Sequence, residues 1–417
     1  ERSIGGILHG LEPGTVDMVG RMQETEAYSH PVVRLVDSLL ADATLRSASD
    51  IHFEPEPQFL RIRYRIDGVL RQVRALHMRY WSAMVVRLKV MAGMNIAETR
   101  APQDGRISLT ISGRQVDFRS AVQPTIHGEN FVLRILDRKR GIVPLDGLGL
   151  SDDQYNTMQL MLSRPEGIML VTGPTGSGKT TTLYSILGHL NTEGVNIMTL
   201  EDPVEYPMPV IRQTSLSDAV KMDFAEGIRS MMRQDPDIIL VGEVRDHDTA
   251  EMAFRAAMTG HQVFSTLHTN SAIRSIPRLV DLGIKPEVLA GNVIGIVAQR
   301  LLRSLCKACK VPHEPSAIEL QLLGLAPGEP HSVYRPVGCP ACENLGYKGR
   351  ISILELLKFD AALDELITQR ASLKLMLDYV RQQGFVSMAE DGLRRVKEGV
   401  TTVEEVGRVV DLTELIH

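Results

Sequence analysis

The sequence lacks any long apolar run. The longest candidate, Val288 to Ala298, is short and is interrupted by Asn292, so no membrane-spanning helix is predicted. A cleavable secretion signal is also missing, which favours a cytoplasmic location. The chain begins with Glu1 rather than with an initiator methionine, and we therefore expect it to be part of a longer protein.

An excess of positive charge is missing too. The 46 lysines and arginines are outnumbered by 51 aspartates and glutamates, and the net charge of −5 disfavours a general nucleic-acid binder. Hydrophobic residues make up 43% and charged residues 23% of the 417 positions, as in soluble globular proteins. A chain of this length is expected to fold into two or three domains.

A glycine-rich turn is the most informative motif that is present. Residues 167–172 (GIMLVT) have the character of a buried strand, residues 173–180 (GPTGSGKT) contain three glycines, and a helical pattern follows. The glycines let successive N–H groups point at an anion, and the helix dipole adds positive potential. A merely flexible loop is the alternative, but it does not account for the complete G-x4-G-K-T pattern between strand and helix. The chain is therefore predicted to bind a nucleoside triphosphate.

Individual side chains of this phosphate loop have separate predicted roles. The Lys179 ammonium is expected to reach the β- and γ-phosphates, and the Thr180 hydroxyl is expected to ligate Mg²⁺. The predicted nucleotide contacts are Gly173, Pro174, Thr175, Gly176, Ser177, Gly178, Lys179, Thr180 and Thr181.

From Leu148 onward, apolar strands alternate with helical segments. Predicted strands at 167–172, 195–200, 237–242 and 262–267 indicate an α/β fold with a largely parallel sheet covered by helices. Ligands of such sheets collect at the carboxyl ends of the strands. The residues that directly follow each strand are therefore candidates for chemistry.

Two acidic residues stand at such positions, Glu201 after the second strand and Glu243 after the third. An acidic loop by itself is usually a solvated turn. Beside a phosphate loop, however, carboxylates hold Mg²⁺, directly or through water, or orient a water for attack on the γ-phosphate. Glu243 is expected to contact the metal-bound water and Glu201 to polarise the attacking water, although the sequence leaves the two roles interchangeable.

Histidines flank the fourth predicted strand, with His261 before it and His268 after it. A neutral imidazole can donate to a γ-phosphate oxygen and so distinguish a triphosphate from a diphosphate. A structural role is the alternative for each of them. His268 is the favoured candidate because it follows a strand end.

The first part of the chain predicts a separate domain. Residues 1–136 combine helical patterns near 31–46 and 78–92 with short alternating segments, a mixture typical of an α+β domain with an antiparallel sheet. Residues 137–149, which are charged and then rich in Gly and Pro, are expected to be a linker. Residues 150–417 form the predicted ATPase domain.

Arginines recur on one face of this first domain. Arg61, Arg63 and Arg65 alternate with apolar residues along one predicted strand. Arg119 and Arg134 occupy equivalent positions on later strands. A solvated basic face is the simpler explanation. Alternatively, Arg119 and Arg134 supply positive charge to the phosphates from across a domain gap.

All cysteines lie in one part of the chain and form two C-x-x-C pairs, Cys306, Cys309, Cys339 and Cys342. In a reducing compartment, two such pairs indicate a four-thiolate tetrahedral Zn²⁺ site, and paired disulfides are the alternative. Four thiolates leave no open coordination position, so the metal would be structural. This zinc-binding subdomain is expected at 300–350, followed by a helical region at 355–417.

Taken together, these motifs resemble the secretion ATPase superfamily, and within it the ATPases of type II secretion and type IV pilus assembly. The four-cysteine insert favours the assembly type over the retraction type. The matching segments extend over nearly the whole chain and are SDIHFEP (49–55), RYRIDG (63–68), VDFRS (116–120), HGENFVLRIL (127–136), GPTGSGKTTTLY (173–184), TLEDPVEY (199–206), RQDPDIILVGEVRD (233–246), TGHQVFSTLHTN (259–270), AQRLLRSLC (298–306) and the insert itself.

The resemblance implies a RecA-like P-loop ATPase domain with a parallel sheet, preceded by a smaller PAS-like α+β domain and carrying a tetracysteine metal-binding insert. It maps the family's motif boxes to 173–180 (phosphate loop), 201–205 (aspartate box), 237–243 (Walker B) and 260–268 (histidine box). In the family, arginines from the first domain reach the nucleotide.

The resemblance also implies an assembly and a location. The family forms homohexamers on the cytoplasmic face of the bacterial inner membrane and hydrolyses ATP with Mg²⁺. Its implied partners are an inner-membrane platform protein and the cytoplasmic domain of a secretion or pilus membrane protein.

Two other functions are compatible with a phosphate loop. A nucleic-acid translocase would use the cysteine insert as a DNA contact, but the insert shows little clustering of Lys and Arg with aromatic residues. DNA-stimulated hydrolysis with a steep salt dependence would favour this alternative. A small-molecule phosphotransferase needs only the phosphate loop, and turnover by a monomer would favour it over ring-dependent hydrolysis.

Overall fold

Residues 31–137, 142–216 and 222–415 are described by the structure, a computed structural model. The chain divides at Ile142 into two units, each with its own sheet and its own core. Residues 1–30 of the predicted first domain and residues 138–141 of the predicted linker lie outside the described ranges. Within these ranges, no helix is both long enough and apolar enough to cross a membrane.

The described part of the first unit, residues 31–137, contains a six-stranded sheet and two α-helices. Its strand order is β3-β2-β1-β6-β5-β4, and every neighbouring pair is antiparallel. The predicted α+β architecture is therefore confirmed. In chain order the elements are α1 (Pro31–Leu45), β1 (Asp50–Pro55), β2 (Phe59–Ile66), β3 (Val69–His77), α2 (Trp81–Ala92), β4 (Gln103–Ile111), β5 (Arg114–Thr125) and β6 (Gly128–Asp137).

Side-chain alternation explains how this sheet forms a core. On β2, every second residue is buried and the residues between them, including the arginines, are half-buried. The helices bury Leu35, Leu39 and Leu88 in the same core. The hydroxyl of Tyr64 on β2 donates to the carbonyl oxygen of Leu39 at 2.9 Å, which links the sheet to α1.

The second unit contains a seven-stranded sheet in the order β15-β12-β7-β11-β10-β8-β9. All neighbouring pairs are parallel except β12 and β15. The predicted, largely parallel α/β sheet is therefore confirmed. Its strands are β7 (Gly167–Thr172), β8 (Ile197–Glu201), β9 (Arg212–Ser215), β10 (Ile238–Val241), β11 (Gln262–Leu267), β12 (Val293–Leu305) and β15 (Tyr347–Lys358), and a separate two-stranded sheet pairs β13 (Val311–Pro312) with β14 (Tyr334–Arg335).

Helices separate most of these strands. β7, β10 and β11 are buried along their whole length because helices cover the sheet. The helices are α3 (Asp152–Leu162), α4 (Lys179–Leu190), α5 (Phe224–Met231), α6 (His247–Met258), α7 (Ser275–Asp281), α8 (Pro286–Leu289), α9 (Ala317–Leu323), α10 (Ala361–Thr368), α11 (Leu373–Gln382), α12 (Met388–Lys397) and α13 (Val403–Gly407).

Two predicted boundaries need correction. The predicted linker, 137–149, includes a 3₁₀ turn at Leu145–Leu148. Its two leucines are buried in the core of the second unit because the turn packs against α4 and these side chains are apolar. The predicted helical region, 355–417, begins inside β15, which runs to Lys358. The four-cysteine segment therefore lies between β12 and β15, two antiparallel strands of the main sheet.

Candidate active site

The predicted phosphate loop joins β7 to the N-terminus of α4. Gly178, the residue before α4, has a φ of 89°, which L side chains rarely adopt. A Cβ on Gly173 would lie 2.5 Å from Oγ of Ser177 and 2.7 Å from the carbonyl oxygen of Gln299. Glycine is therefore required at both ends of the loop.

The loop exposes its tip and buries its base. Pro174, Thr175, Gly176 and Thr181 are exposed, so a ligand has access to the loop backbone. Oγ of Ser177 is buried and has no hydrogen-bond partner among the described residues. A phosphate oxygen held by the loop would give this hydroxyl an acceptor, and the loop therefore fits the predicted anion.

Lys179 is the first residue of α4, and its ammonium points back at the loop. Nζ donates to the carbonyl oxygens of Gly173 at 2.7 Å and Pro174 at 3.0 Å. Burial lowers the pKa of Lys179 to about 8, the negative charge of Glu243 opposes this shift, and the positive charge of Arg300 adds to it. These two hydrogen bonds use N–H donors of Lys179 from which phosphate oxygens would accept when a nucleotide is bound.

A residue that the sequence analysis missed, Gln299 on β12, holds the loop from behind. Its Nε2 donates to the carbonyl oxygen of Ser177 at 2.8 Å, and its Oε1 accepts from the hydroxyl of Thr182 on α4 at 2.6 Å. Gln299 is 1% exposed. The signal that could have identified it is an isolated glutamine next to a continuous apolar run.

Glu201, the last residue of β8, is buried among hydrogen-bond donors. Its carboxylate accepts from the hydroxyls of Tyr184 and Thr199, the latter at 2.6 Å, and from Nε2 of Gln213 at 3.3 Å. Burial raises the pKa of Glu201 although these donors act in the opposite direction. A carboxylate with a raised pKa is suited to accept a proton near neutral pH. Tyr184 and Gln213 were not predicted.

Glu243, which follows β10, is held between a histidine and an arginine. Its Oε1 lies 2.9 Å from Nε2 of His268, and its Oε2 lies 2.7 Å from Nε of Arg245. Nδ1 of His268 lies 3.2 Å from the carbonyl oxygen of Gly173. Both ring nitrogens of His268 therefore face acceptor oxygens, and a neutral ring is able to donate to only one of them.

The strand ends thus bring most of the predicted site together. Thr180, Glu201, Glu243 and Arg245 line one cleft beside the phosphate loop. Mg²⁺ prefers oxygen ligands and usually keeps several of its waters, so it needs only a few oxygen atoms from the protein. The hydroxyl of Thr180 and the carboxylate of Glu243 therefore fit the predicted Mg²⁺. His261 lies instead at the opposite end of β11, where its Nδ1 is 2.9 Å from the carbonyl oxygen of Ala256.

Arg119 and Arg134 lie in the first unit, side by side on β5 and β6. Nε of Arg134 is 3.2 Å from Oδ1 of Asp50, yet 54% of its side chain is exposed. Arg65 approaches the same carboxylate at 3.7 Å, and Arg63 forms two hydrogen bonds with Glu54. Parts of the predicted arginine row are therefore ion-paired within the sheet, and a role of Arg119 and Arg134 at the nucleotide stays a prediction.

The four cysteines form a compact cluster, with no disulfide among them. All four sulfur atoms lie within 4.8 Å of one another. The Sγ atoms of the pairs Cys306–Cys339, Cys309–Cys342 and Cys339–Cys342 are 3.8 to 3.9 Å apart. In a tetrahedral four-thiolate site with Zn–S bonds of about 2.3 Å, the sulfur atoms are about 3.8 Å apart.

Backbone N–H groups of Cys339 and Gly346 donate to Sγ of Cys342, which favours its thiolate. The cluster therefore fits a structural metal ion such as Zn²⁺.

Comparison with known proteins agrees with this geometry. A family model described as "Type II/IV secretion system protein" matches residues 25–408. "Type II secretion system protein E" of Pseudomonas aeruginosa is 48% identical over 397 residues, which cover 95% of this chain and 78% of the relative. "Type IV pilus assembly ATPase PilB" of the same organism is 43% identical over 406 residues, which cover 96% and 72% of the two chains.

A solved structure is similar as well. The crystal structure of the pilus retraction motor PilT with bound ADP superposes with a TM-score of 0.62 and 28% sequence identity, covering 90% of this chain and 96% of the other. Similarity therefore extends over both units of the chain.

Proposed function

Because the chain belongs to the type II/IV secretion system protein family, we propose that it is the motor that drives assembly of a type IV pilus or of a type II secretion pseudopilus. Its reaction follows from the family: the chain is an ATP hydrolase. One observation carries the proposal: the ends of four strands of the second unit and the segments that follow them bring Lys179, Glu201, Glu243 and His268 around one phosphate loop.

The site residues have distinct roles in the proposed reaction. Backbone N–H groups of the loop and Lys179 bind the phosphates, and Thr180 and Glu243 hold the metal, the latter through water. Mg²⁺ supplies charge neutralisation at the β- and γ-phosphates when it is bound. Glu201 orients the attacking water and accepts its proton, a role that its raised pKa supports. His268 senses the γ-phosphate.

The rest of the proposal concerns assembly. The chain acts as a homohexamer on the cytoplasmic face of the inner membrane, next to a platform protein and the cytoplasmic domain of a secretion or pilus membrane protein. Residues 1–136 and 150–417 act as separate domains, and Arg119 and Arg134 of the first reach the nucleotide of the second. Their neighbouring positions on β5 and β6 support this joint role. Zn²⁺ occupies the four-cysteine cluster.

The test measures ATP hydrolysis per subunit against protein concentration, with and without membranes that carry a candidate platform protein. We expect the rate per subunit to rise with concentration as rings form, and to rise again with the membranes. Arg119→Gln and Arg134→Gln should each reduce the rate by at least about tenfold. Arg74→Gln, an exposed position on the edge strand β3, is the matched control and should not.

Hydrolysis that is independent of concentration, together with full turnover by both arginine variants, would reject the motor and leave only a nucleotide-binding ATPase.

A further inference from the structure

The second unit has another cleft, which the ATPase site does not use. It has a volume of about 540 Å³ and lies between the segment after β11, the strands β12 and β15, the helices α11 and α12 and the last described residues. This volume is typical of a small-molecule site. Three arginines line it, and we call it the basic cleft: Arg274 directly before α7, Arg300 on β12 and Arg381 on α11.

Among the described residues, no guanidinium group of the basic cleft is hydrogen-bonded to a carboxylate. Arg300 is 8% exposed, and its guanidinium donates only to backbone carbonyl oxygens, those of Gln299 at 2.9 Å and Asn270 at 3.2 Å. Arg274 and Arg381 are exposed. Across the described ranges of the chain, neither of their guanidinium groups has a hydrogen-bond or ion-pair partner.

Two acidic residues of the described ranges also line the basic cleft, and both accept hydrogen bonds from neighbouring protein groups. The carboxylate of Glu355 accepts from the backbone N–H groups of Ala272 at 2.6 Å and Met388 at 2.9 Å. Asp411 accepts from the backbone and the hydroxyl of Thr413. Glu355 also interacts electrostatically with Arg300, whereas Arg274 and Arg381 have no carboxylate as an ion-pair partner among the described residues.

The chemistry of the basic cleft selects an anion with several oxygens. Guanidinium groups bind phosphates through paired N–H donors, and a guanidinium held away from water binds them more strongly. We propose that the basic cleft binds the phosphate group of a small phosphorylated ligand, at a site distinct from the nucleotide site.

The basic cleft is linked to the phosphate loop by neighbouring residues of β12. Arg300 donates to the carbonyl oxygen of Gln299, and the side chain of Gln299 holds Ser177 and Thr182. A phosphate that draws the Arg300 guanidinium into the cleft would weaken the first of these bonds. Occupancy is therefore positioned to act on nucleotide binding.

Calorimetry on the full chain tests the site. The protein is first saturated with Mg²⁺ and a non-hydrolysable ATP analogue, so that the phosphate loop is filled, and glycerol 3-phosphate is then titrated. We expect one binding event per chain, weakened about tenfold by Arg274→Gln and by Arg381→Gln. Lys374→Gln, an exposed position on the same helix as Arg381, removes the same charge outside the cleft and should bind like the unaltered protein.

A second arm distinguishes a lipid headgroup from a free metabolite. Sedimentation with phosphatidylglycerol vesicles, compared with phosphatidylcholine vesicles, is measured for the same variants. Binding in either arm that both cleft substitutions weaken supports the proposal, and the arm in which it occurs identifies the source. No binding in either arm, or binding that Lys374→Gln weakens as much as the cleft substitutions do, overturns it. Because the loop is filled throughout, the outcome does not depend on the proposed motor function.

Discussion

The charge of Lys179 makes nucleotide binding sensitive to pH. In the free protein its pKa is about 8 because burial disfavours the ammonium. Phosphate oxygens favour the ammonium, so nucleotide binding raises this pKa, and above pH 8 the side chain must take up a proton to bind. We therefore expect the affinity for an ATP analogue to fall as the pH rises through about 8.

Calorimetry at about pH 8.5, in two buffers with different ionisation enthalpies, measures this uptake. The observed heats should differ between the buffers for the unaltered protein. They should agree for Lys179→Arg, whose guanidinium stays charged. Equal heats for the unaltered protein would show that Lys179 is already fully protonated.

Tyr184 is expected to act on the reaction through Glu201. Its hydroxyl donates to the Glu201 carboxylate and stabilises the ionised form, so Tyr184→Phe should raise the pKa of Glu201 further. The acidic limb of the pH profile of kcat/KM should then move to higher pH, and kcat should fall by about tenfold, as expected for the loss of one hydrogen bond to a charged group.

Tyr206→Phe is the matched control, because the Tyr206 ring packs edge-on against Tyr184 at 4.7 Å between centroids without a hydrogen bond to Glu201 among the described contacts. Its pH profile should be unchanged. A Tyr184→Phe profile that keeps its acidic limb while stability falls would assign Tyr184 a purely structural role.

Sequence reasoning identified the site residues that belong to a local motif or directly follow an apolar strand. Lys179 and Thr180 stand within the loop motif itself, and Glu243 stands directly after an apolar strand. The residues that orient this set were missed, because their partners are distant in sequence. Gln299, for example, is separated by 117 positions from Thr182, and only the pairing of β12 with β7 brings them together.

At the scale of single elements, β12 is expected to set the shape of the phosphate loop. Gln299→Met keeps the size of the side chain but leaves the Ser177 carbonyl and the Thr182 hydroxyl without their buried partner, which costs about 1–3 kcal/mol for each group. Because the loop then loses its support, we expect KM for ATP to rise by about tenfold or more.

Gln262→Met controls for the general cost of removing a buried glutamine. Nε2 of Gln262 also donates to two backbone carbonyl oxygens, those of Leu162 and Arg164, but it lies at the opposite end of the sheet from the loop. Both variants should lose stability in thermal unfolding, and only Gln299→Met should raise KM. An equal change of KM in both would mean that β12 has no special role.

The predicted elements were those with a clear period. The alternation of apolar and polar residues along β2 is compatible only with a strand. The succession of apolar run, glycine-rich turn and helical pattern at β7 and α4 is likewise compatible with only one local structure. β12 and β15 were missed because each contains a stretch that is buried on both faces, 293–300 and 353–357, and such a stretch has no period that separates a strand from a helix segment. β9 has four half-buried or exposed residues and carries no apolar signal.

At the scale of the whole molecule, the two units have separate hydrophobic cores. We therefore expect two unfolding transitions. A substitution in the core of one unit should shift only the transition of that unit and so identify it. In the first unit, Nζ of Lys89 and Oε1 of Glu129 form a buried ion pair at 2.5 Å, and Lys89 is 1% exposed. Lys89→Met would leave the Glu129 carboxylate buried without its cation, which costs about 3–5 kcal/mol and marks the transition of this unit.

Removal of the metal ion from the four-cysteine cluster should affect only the unfolding transition of the second unit. The cysteine segment joins β12 to β15 and is tied to the turn after α12, where Leu305 donates its N–H to Val400 at 2.8 Å and Lys310 donates through Nζ to Gly399 at 2.7 Å. Four thiolates this close together cannot all stay ionised without their cation, so they take up protons when the metal is removed. The metal–sulfur bonds that hold the segment in shape are then lost, and the segment should separate from α12.

We expect a chelator under reducing conditions, or Cys339→Ser without a chelator, to lower the midpoint of the second unit by several degrees, about 2–4 °C per kcal/mol for a unit of this size. The midpoint that Lys89→Met shifts should stay where it is. Differential scanning calorimetry with metal analysis of the same samples measures both effects. Protein that loses its metal while both midpoints remain unchanged would show that the cluster does not support the fold, because a structural ion contributes its binding free energy to folding.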